Sequence, residues 1–156
     1  MQTTEHYDRV KAMMELIPGQ ETPDEITIPD AETRILRTKL ILEEALETFA
    51  AMGVRVFIPT TPEAIANEVI ELNTNTEIYF APTDKVDLLE VADGLGDISV
   101  VVTGSMIAFG IPDKPLLEEI DRSNLSKFED GYLREDGKWC KGPNWTPPNI
   151  AKAIGL

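Results

Sequence analysis

Glu43, Glu44 and Glu47 form an EExxE cluster, and Glu90, Asp93 and Asp97 form a second group of acids later in the chain. On a helix that turns about 100° per residue, Glu43 and Glu47 lie about 40° apart and Glu44 about 60° from Glu47. In the second group Glu90 and Asp97 are separated by about 20°, with Asp93 about 60° from the first and about 40° from the second. Either triplet alone describes a solvated helix face, and like charges at this spacing destabilise a helix that has no cation to screen them. The second group leads into an almost wholly apolar run, so its acids are expected to be partly buried. Ionised carboxylates seldom stay there without a partner or a metal. Two facing helices that offer only oxygen donors suit Mg²⁺, with Mn²⁺ as a substitute, better than zinc or copper. Mg²⁺ keeps waters and is usually completed by substrate phosphates, so the pattern points to phosphate chemistry. A di-iron site would want Glu-x-x-His pairs, and the chain has one histidine, His6.

The elements that must position these acids can be read from periodicity. Val10, Met13, Met14 and Ile17 predict an amphipathic helix from about Thr4 to Leu16, stopped by Pro18-Gly19. Asp30 reads as the N-cap of a long helix over about 31–52, ended by Gly53, with Ile35, Leu42, Leu46 and Phe49 as its core-facing stripe. Between Val54 and Pro82, VRVFIP and EIYFAP flank TTPEAIANEVIELNTNT, which reads as two short strands around a helix or as helix plus loops. A second long helix is predicted over about 84–109 and a shorter one over about 114–125, with Pro112 between them. Asp136-Gly137, between YLRE and KWC, is placed to turn a small β-hairpin in a Gly- and Pro-rich tail. The expected fold is all-α: a bundle of four to five helices around two long antiparallel ones. It forms a single domain over 1–156, in which 126–150 is an extended tail.

Composition removes several function classes. A net charge of −14 argues against nucleic acid polymers and anionic membranes as partners. Residues 1–120 carry 8 Lys/Arg against 23 Asp/Glu, whereas 121–156 carry 6 against 5, so the tail is where an anion would find cations. Cys140 is the one cysteine, which rules out an internal disulfide and a cysteine-based zinc site. The polar N-terminus lacks the order of a secretory signal. The apolar run 98–111, broken by Thr103, Gly104 and Ser105, reads as a buried helix rather than a membrane span.

EExxE followed on a second helix by ExxD (Glu90 to Asp93), and then by the SNLSK and GKWCKGPNW segments, resembles the all-α NTP pyrophosphohydrolase superfamily. That group includes the MazG-like enzymes, phosphoribosyl-ATP pyrophosphohydrolase and the dimeric dUTPases, and the likeness covers roughly residues 5–52 and 84–150. The resemblance implies that Glu43, Glu47, Glu90 and Asp93 ligate Mg²⁺, with Asp97 an additional or outer ligand. It implies that Glu44 or its neighbour, Glu47 included, orients or deprotonates the attacking water. Asn124 and Lys127 would contact polyphosphate, and Lys138 and Lys141 offer further cations for it. Lys127 also fits a helix C-terminus, where it complements the dipole. Arg34 and Arg37 balance the acids or touch phosphate. Trp139, Trp145 and Tyr132 either stack on a base or pin the tail to the core.

The leading expectation is therefore a cytosolic enzyme, in the host cytoplasm if phage-encoded. It would hydrolyse a (deoxy)nucleoside triphosphate to monophosphate and pyrophosphate, in nucleotide-pool cleaning or precursor supply. The alternatives are the phosphoribosyl-ATP hydrolase of histidine synthesis and a non-enzymatic metal- or partner-binding scaffold. The resemblance also implies a homodimer or homotetramer.

Overall fold

A computed structural model describes residues 2–59, 62 and 71–156. Helix α1 spans Glu5–Glu15, α2 Ala31–Ala51, α3 Leu88–Ala108, α4 Asp113–Ser126 and α5 Ile150–Ile154. Two small antiparallel ribbons accompany them, β1 (Val54–Phe57) with β2 (Tyr79–Pro82) and β3 (Tyr132–Leu133) with β4 (Trp139–Cys140). The all-α bundle with an irregular tail and a small hairpin is thus the observed fold. The two strands foreseen in VRVFIP and EIYFAP pair with Val54 opposite Pro82. The helix foreseen between them falls mostly outside the described residues.

The contacts group into two compact units, Leu36–Val101 and the remainder, Met1–Ile35 with Val102–Leu156. The Leu36–Val101 unit is a helical hairpin. Asp30 starts α2 by accepting the Thr33 N–H at 2.7 Å, and Gly53 ends it in a left-handed turn at φ +71°. A Cβ at Gly53 would meet the Lys85 carbonyl at 2.6 Å, so the turn has room for no larger residue. The chain returns through the β1–β2 ribbon, and Asp87 donates its N–H to the Ala51 carbonyl at 3.0 Å. α3 begins at Leu88 rather than near Asp84, because the Asp87 carboxylate accepts the N–H groups of Leu89 and Glu90 at 3.0 and 3.2 Å. α2 and α3 then run antiparallel in close approach. A Cβ on Gly94 would lie 2.4 Å from the Thr48 hydroxyl, so the helix backbones meet where α3 has no side chain.

The face that α2 turns inward differs from the one its apolar spacing predicts. Arg37 and Thr48 are buried and Glu44 is half-buried, whereas Ile35, Leu42 and Leu46 are 55%, 47% and 46% exposed. Only Phe49 of the foreseen stripe is half-buried. Residues 37, 44 and 48 share one side of the helix, each an integral number of turns apart within about 40°. The most deeply buried residues of α2 are therefore polar, and Ile35, Leu42 and Leu46 of its apolar stripe face outward in the single chain.

In the other unit the core is conventional. Tyr7, Val10 and Met14 of α1 and Ile107 and Ala108 at the end of α3 are buried, while Met13 and Ile17 point outward. α3 is long and apolar enough to cross a bilayer by length and composition, which the broken run 98–111 did not suggest. Its first three turns nevertheless carry Glu90, Asp93 and Asp97, and Thr103, Gly104, Ile107 and Ala108 pack as a core helix does.

The tail is held to α4 by a polar clasp. Glu119 accepts both the Nε–H and an Nη–H of Arg122 at 2.8 Å and the Asn149 backbone N–H at 2.7 Å. Arg122 also donates to the Thr146 hydroxyl at 2.6 Å, and Asn149 caps α5. The short α5 was missed by the sequence reading, since five residues are too few to show periodicity. The Arg122 hydrogen bonds, then the Asn149 N–H, hold the Glu119 carboxyl down at about 2 from its ordinary 4.5. A carboxyl whose pKa falls on folding adds stability above its unfolded pKa and loses it as pH drops to the folded value. The stability difference between wild type and Glu119→Gln should accordingly shrink as pH falls from about 4.5 to about 2, measured by thermal unfolding. A difference that stays constant across that window would contradict the clasp.

Candidate functional site

Four of the six acids singled out from the sequence act electrostatically on a fifth, Glu44, across the α2–α3 hairpin. Glu44 is the half-buried member, and its carboxyl is held above the ordinary carboxylate range. Partial burial is the main cause, followed by the charges of Asp97, Glu47, Glu43 and Asp93. Acids from both helices thus converge electrostatically on Glu44. Glu90 is not one of the four. It lies about one turn before Asp93, in the first turn of α3, where the helix dipole favours its charge.

The expected partial burial of the second acidic group is not found. Glu90, Asp93 and Asp97 are exposed in the single chain, as are Glu43 and Glu47. The reason is that α3 becomes buried only from Thr103 onward, while Leu89 and Leu95 in its first half are also exposed. Exposure lets these carboxylates keep their hydration, so burial does not separate a metal site from a partner-recruiting face.

Among the described residues no three His, Cys, Asp or Glu side chains close on one point as a ready-made metal cage. The donor set nonetheless fits Mg²⁺. This ion is typically held by one or two carboxylates, waters and substrate phosphates rather than by an all-protein cage. A cluster of carboxylates whose charges act together on Glu44 is also one that a divalent cation stabilises.

Residues 10–124, most of the chain and all six acids, match the family described as phosphoribosyl-ATP pyrophosphohydrolase. The chain belongs to that family. The family lies within the MazG-like NTP pyrophosphohydrolase superfamily that the acidic motifs resemble, and its members are hydrolases acting on acid anhydrides. A nucleotide pyrophosphohydrolase is therefore the class of enzyme at hand. Comparison with curated proteins finds no match.

The pyrophosphohydrolase match ends at Asn124, and the remaining cations singled out from the sequence divide accordingly. Asn124 and Lys127 lie together at the end of α4, with the Lys127 ammonium donating to the Asn124 side-chain oxygen at 2.7 Å. Lys127 is also the C-cap of that helix, as its alternative reading required. Lys138 and Lys141 flank β4 and line a cavity with Lys127. Arg37 is placed differently: its side chain is buried, and burial pulls its guanidinium below its ordinary pKa. Arg34 stays at the surface, with its Nε–H 3.3 Å from the Asp30 carbonyl. Trp139 pins the tail hairpin to the end of α4, whereas Trp145 contacts another tail residue. Trp139 donates to the Lys127 carbonyl at 2.7 Å and packs on Phe128 at 5.0 Å, and the Trp145 ring lies under the Lys141 ammonium at 3.4 Å. Sequence reasoning did not single out Arg134, a fourth lining cation of the Lys138 cavity, because its partner across the turn is set by the hairpin.

Proposed function

We propose that the protein hydrolyses a (deoxy)nucleoside triphosphate to the monophosphate and pyrophosphate, with Mg²⁺ held by Glu43, Glu47, Glu90, Asp93 and, as an outer or additional ligand, Asp97. The observation that carries this reading is the convergence of four acidic charges from α2 and α3 on Glu44 within a pyrophosphohydrolase chain. Bound Mg²⁺ would neutralise the polyphosphate and lower the pKa of coordinated water. The chain's own task is to position and to move a proton. Glu44 takes a proton from the attacking water while that water forms a bond to phosphorus. The anhydride P–O bond breaks, and its electron pair leaves with the pyrophosphate oxygen. A base works best when its pKa approaches the working pH, and the raised pKa of Glu44 moves it in that direction. Glu47 holds metal and orients the water, and Asn124, Lys127, Lys138, Lys141 and Arg37 serve the phosphates.

The reading has a pH signature. As a base, Glu44 is active when ionised, so activity should rise as pH climbs through its raised pKa and level off above it. Rate measurements across acid pH on wild type and Glu44→Gln check this. A low residual rate without that rising limb is expected of the variant, and an unchanged limb would contradict the assignment.

The name of the matching family favours one other substrate, phosphoribosyl-ATP, which needs the same metal site. The same proposal includes assembly of two or four copies in the cytosol. Ile35, Leu42 and Leu46 of α2 and Leu88, Leu89 and Leu95 of α3 are exposed in the single chain, an apolar surface that a second copy would cover.

A further inference from the structure

We infer that the α4–α5 clasp carries a binding site for a free aliphatic amino acid, held by both of its charges. A cavity of about 520 Å³ opens between the two helices. Its volume is in the range of small-molecule sites, roughly 300–1,000 Å³. The α4 wall carries Glu118, Glu119 and Arg122, and the α5 wall carries Asn149 and Lys152.

The four charged groups divide into a satisfied pair and an unsatisfied one. Arg122 donates from Nε and one Nη to Glu119 at 2.8 Å, and its other bonds go to the Thr146 hydroxyl at 2.6 Å and the Pro147 carbonyl at 3.2 Å. Glu119 also accepts the Asn149 N–H at 2.7 Å, so this pair fixes the walls and has little left for a ligand. The Glu118 carboxylate and the Lys152 ammonium are exposed, and neither makes a hydrogen bond or ion pair among the described residues. Lys152 reaches Glu119 only through its charge. The two free groups are opposite in sign, line one cavity from facing helices and are too far apart to pair directly. A ligand with one ammonium and one carboxylate meets both at once, whereas a simple anion is repelled by Glu118 and Glu119 and a simple cation by Lys152 and Arg122. The Asn149 side-chain oxygen is spent on the Lys152 N–H at 3.1 Å, which leaves its amide hydrogens for a carboxylate beside Lys152. Pro115 and Ala153 complete the lining with apolar surface, suited to an aliphatic side chain.

The α5 wall lies beyond residue 124, where the match to the pyrophosphohydrolase family ends. Neither the acids of α2 and α3 nor the tail cations assigned to phosphate line this cavity, so the site shares no residue with the proposed hydrolase centre. An occupant bridges Glu118 of α4 to Lys152 of α5 and tightens the clasp that holds the tail.

The test is isothermal titration calorimetry of the full chain, without metal or nucleotide, against L-leucine, L-leucinamide and N-acetyl-L-leucine. The second probe lacks the carboxylate and the third lacks the ammonium. Saturable binding of L-leucine is expected, with both analogues at least tenfold weaker. L-Leucine should also raise the thermal midpoint of the wild type in step with its concentration. Glu118→Gln and Lys152→Gln should each weaken L-leucine at least tenfold, and Lys152→Arg should retain it. Both side chains are exposed, and an unchanged midpoint without ligand confirms that each variant is folded. No saturable binding of L-leucine, equal binding of either analogue, or full affinity in either glutamine variant overturns the site. Because neither metal nor nucleotide enters the titration, its failure leaves the hydrolase reading standing, and an absence of hydrolysis leaves this site standing.

Discussion

Replacing Asp93 by Asn, or Glu47 by Gln, is expected to lower kcat/KM for nucleotide hydrolysis by about a hundredfold or more. Each change removes one charge that converges on Glu44 and one carboxylate proposed to hold Mg²⁺. Loss of about 3 kcal/mol of metal-based transition-state stabilisation corresponds to about two powers of ten in rate. Because both side chains are exposed and sit in a like-charged cluster, neither substitution should weaken the fold, and relief of repulsion favours a small gain without Mg²⁺. Steady-state rates at several Mg²⁺ concentrations, alongside thermal unfolding in EDTA, separate the two effects. Full activity in either variant would remove that residue from the site.

The largest expected effect on stability lies elsewhere, at Asp113, the first residue of α4. Its side chain is buried, accepts the Thr4 backbone N–H at 3.0 Å and also accepts the Thr4 hydroxyl hydrogen. The Thr4 oxygen in turn caps α1 by accepting the Tyr7 N–H at 3.2 Å. Tyr7 is buried beside this group. Burial, with the Asp113 charge as the next cause, pushes its hydroxyl up to about 12. Asp113→Ala would strip two charge-assisted hydrogen bonds and leave a buried N–H unmet, at a cost of about 3–5 kcal/mol. For a chain of this length that is on the order of 6–20 °C in thermal midpoint, with Asp113→Asn intermediate. A midpoint unchanged in the alanine variant would show that the contact contributes nothing to stability.

Much of this architecture is legible in the sequence because it depends on local chemistry. Asp30 and Gly53 bound α2 through a side-chain cap and a left-handed turn, and Asp136-Gly137 turns the tail hairpin. What fails is whatever depends on a partner distant in the chain. The spacing of Ile35, Leu42 and Leu46 marks an apolar face correctly but not what that face meets. The structure buries Arg37 and Thr48 and half-buries Glu44 instead, with Thr48 against Gly94 of α3. The bond from Thr4 to Asp113 joins residues 109 apart, and no local pattern announces it.

The candidate site follows the same division. The two acidic triplets were readable because 3.6-residue periodicity places their members on common faces. Their mutual action required α2 and α3 to run antiparallel past Gly94, which has no side chain to hold them apart. The exposure of Glu90, Asp93 and Asp97 was not readable, because apolar content along α3 does not say where its burial begins. Arg134 joins the tail cations only once the hairpin sets it opposite Lys138.

The most direct test is product analysis on a panel of NTPs, dNTPs and phosphoribosyl-ATP, with Mg²⁺ and with EDTA, using wild type, Glu47→Gln and Asp93→Asn. The account predicts that a nucleoside triphosphate yields monophosphate and pyrophosphate only with the metal, and that both variants lose this activity. Cleavage of phosphoribosyl-ATP alone would contradict the proposed substrate, and cleavage of nothing by a folded wild type would contradict the metal-dependent hydrolase itself.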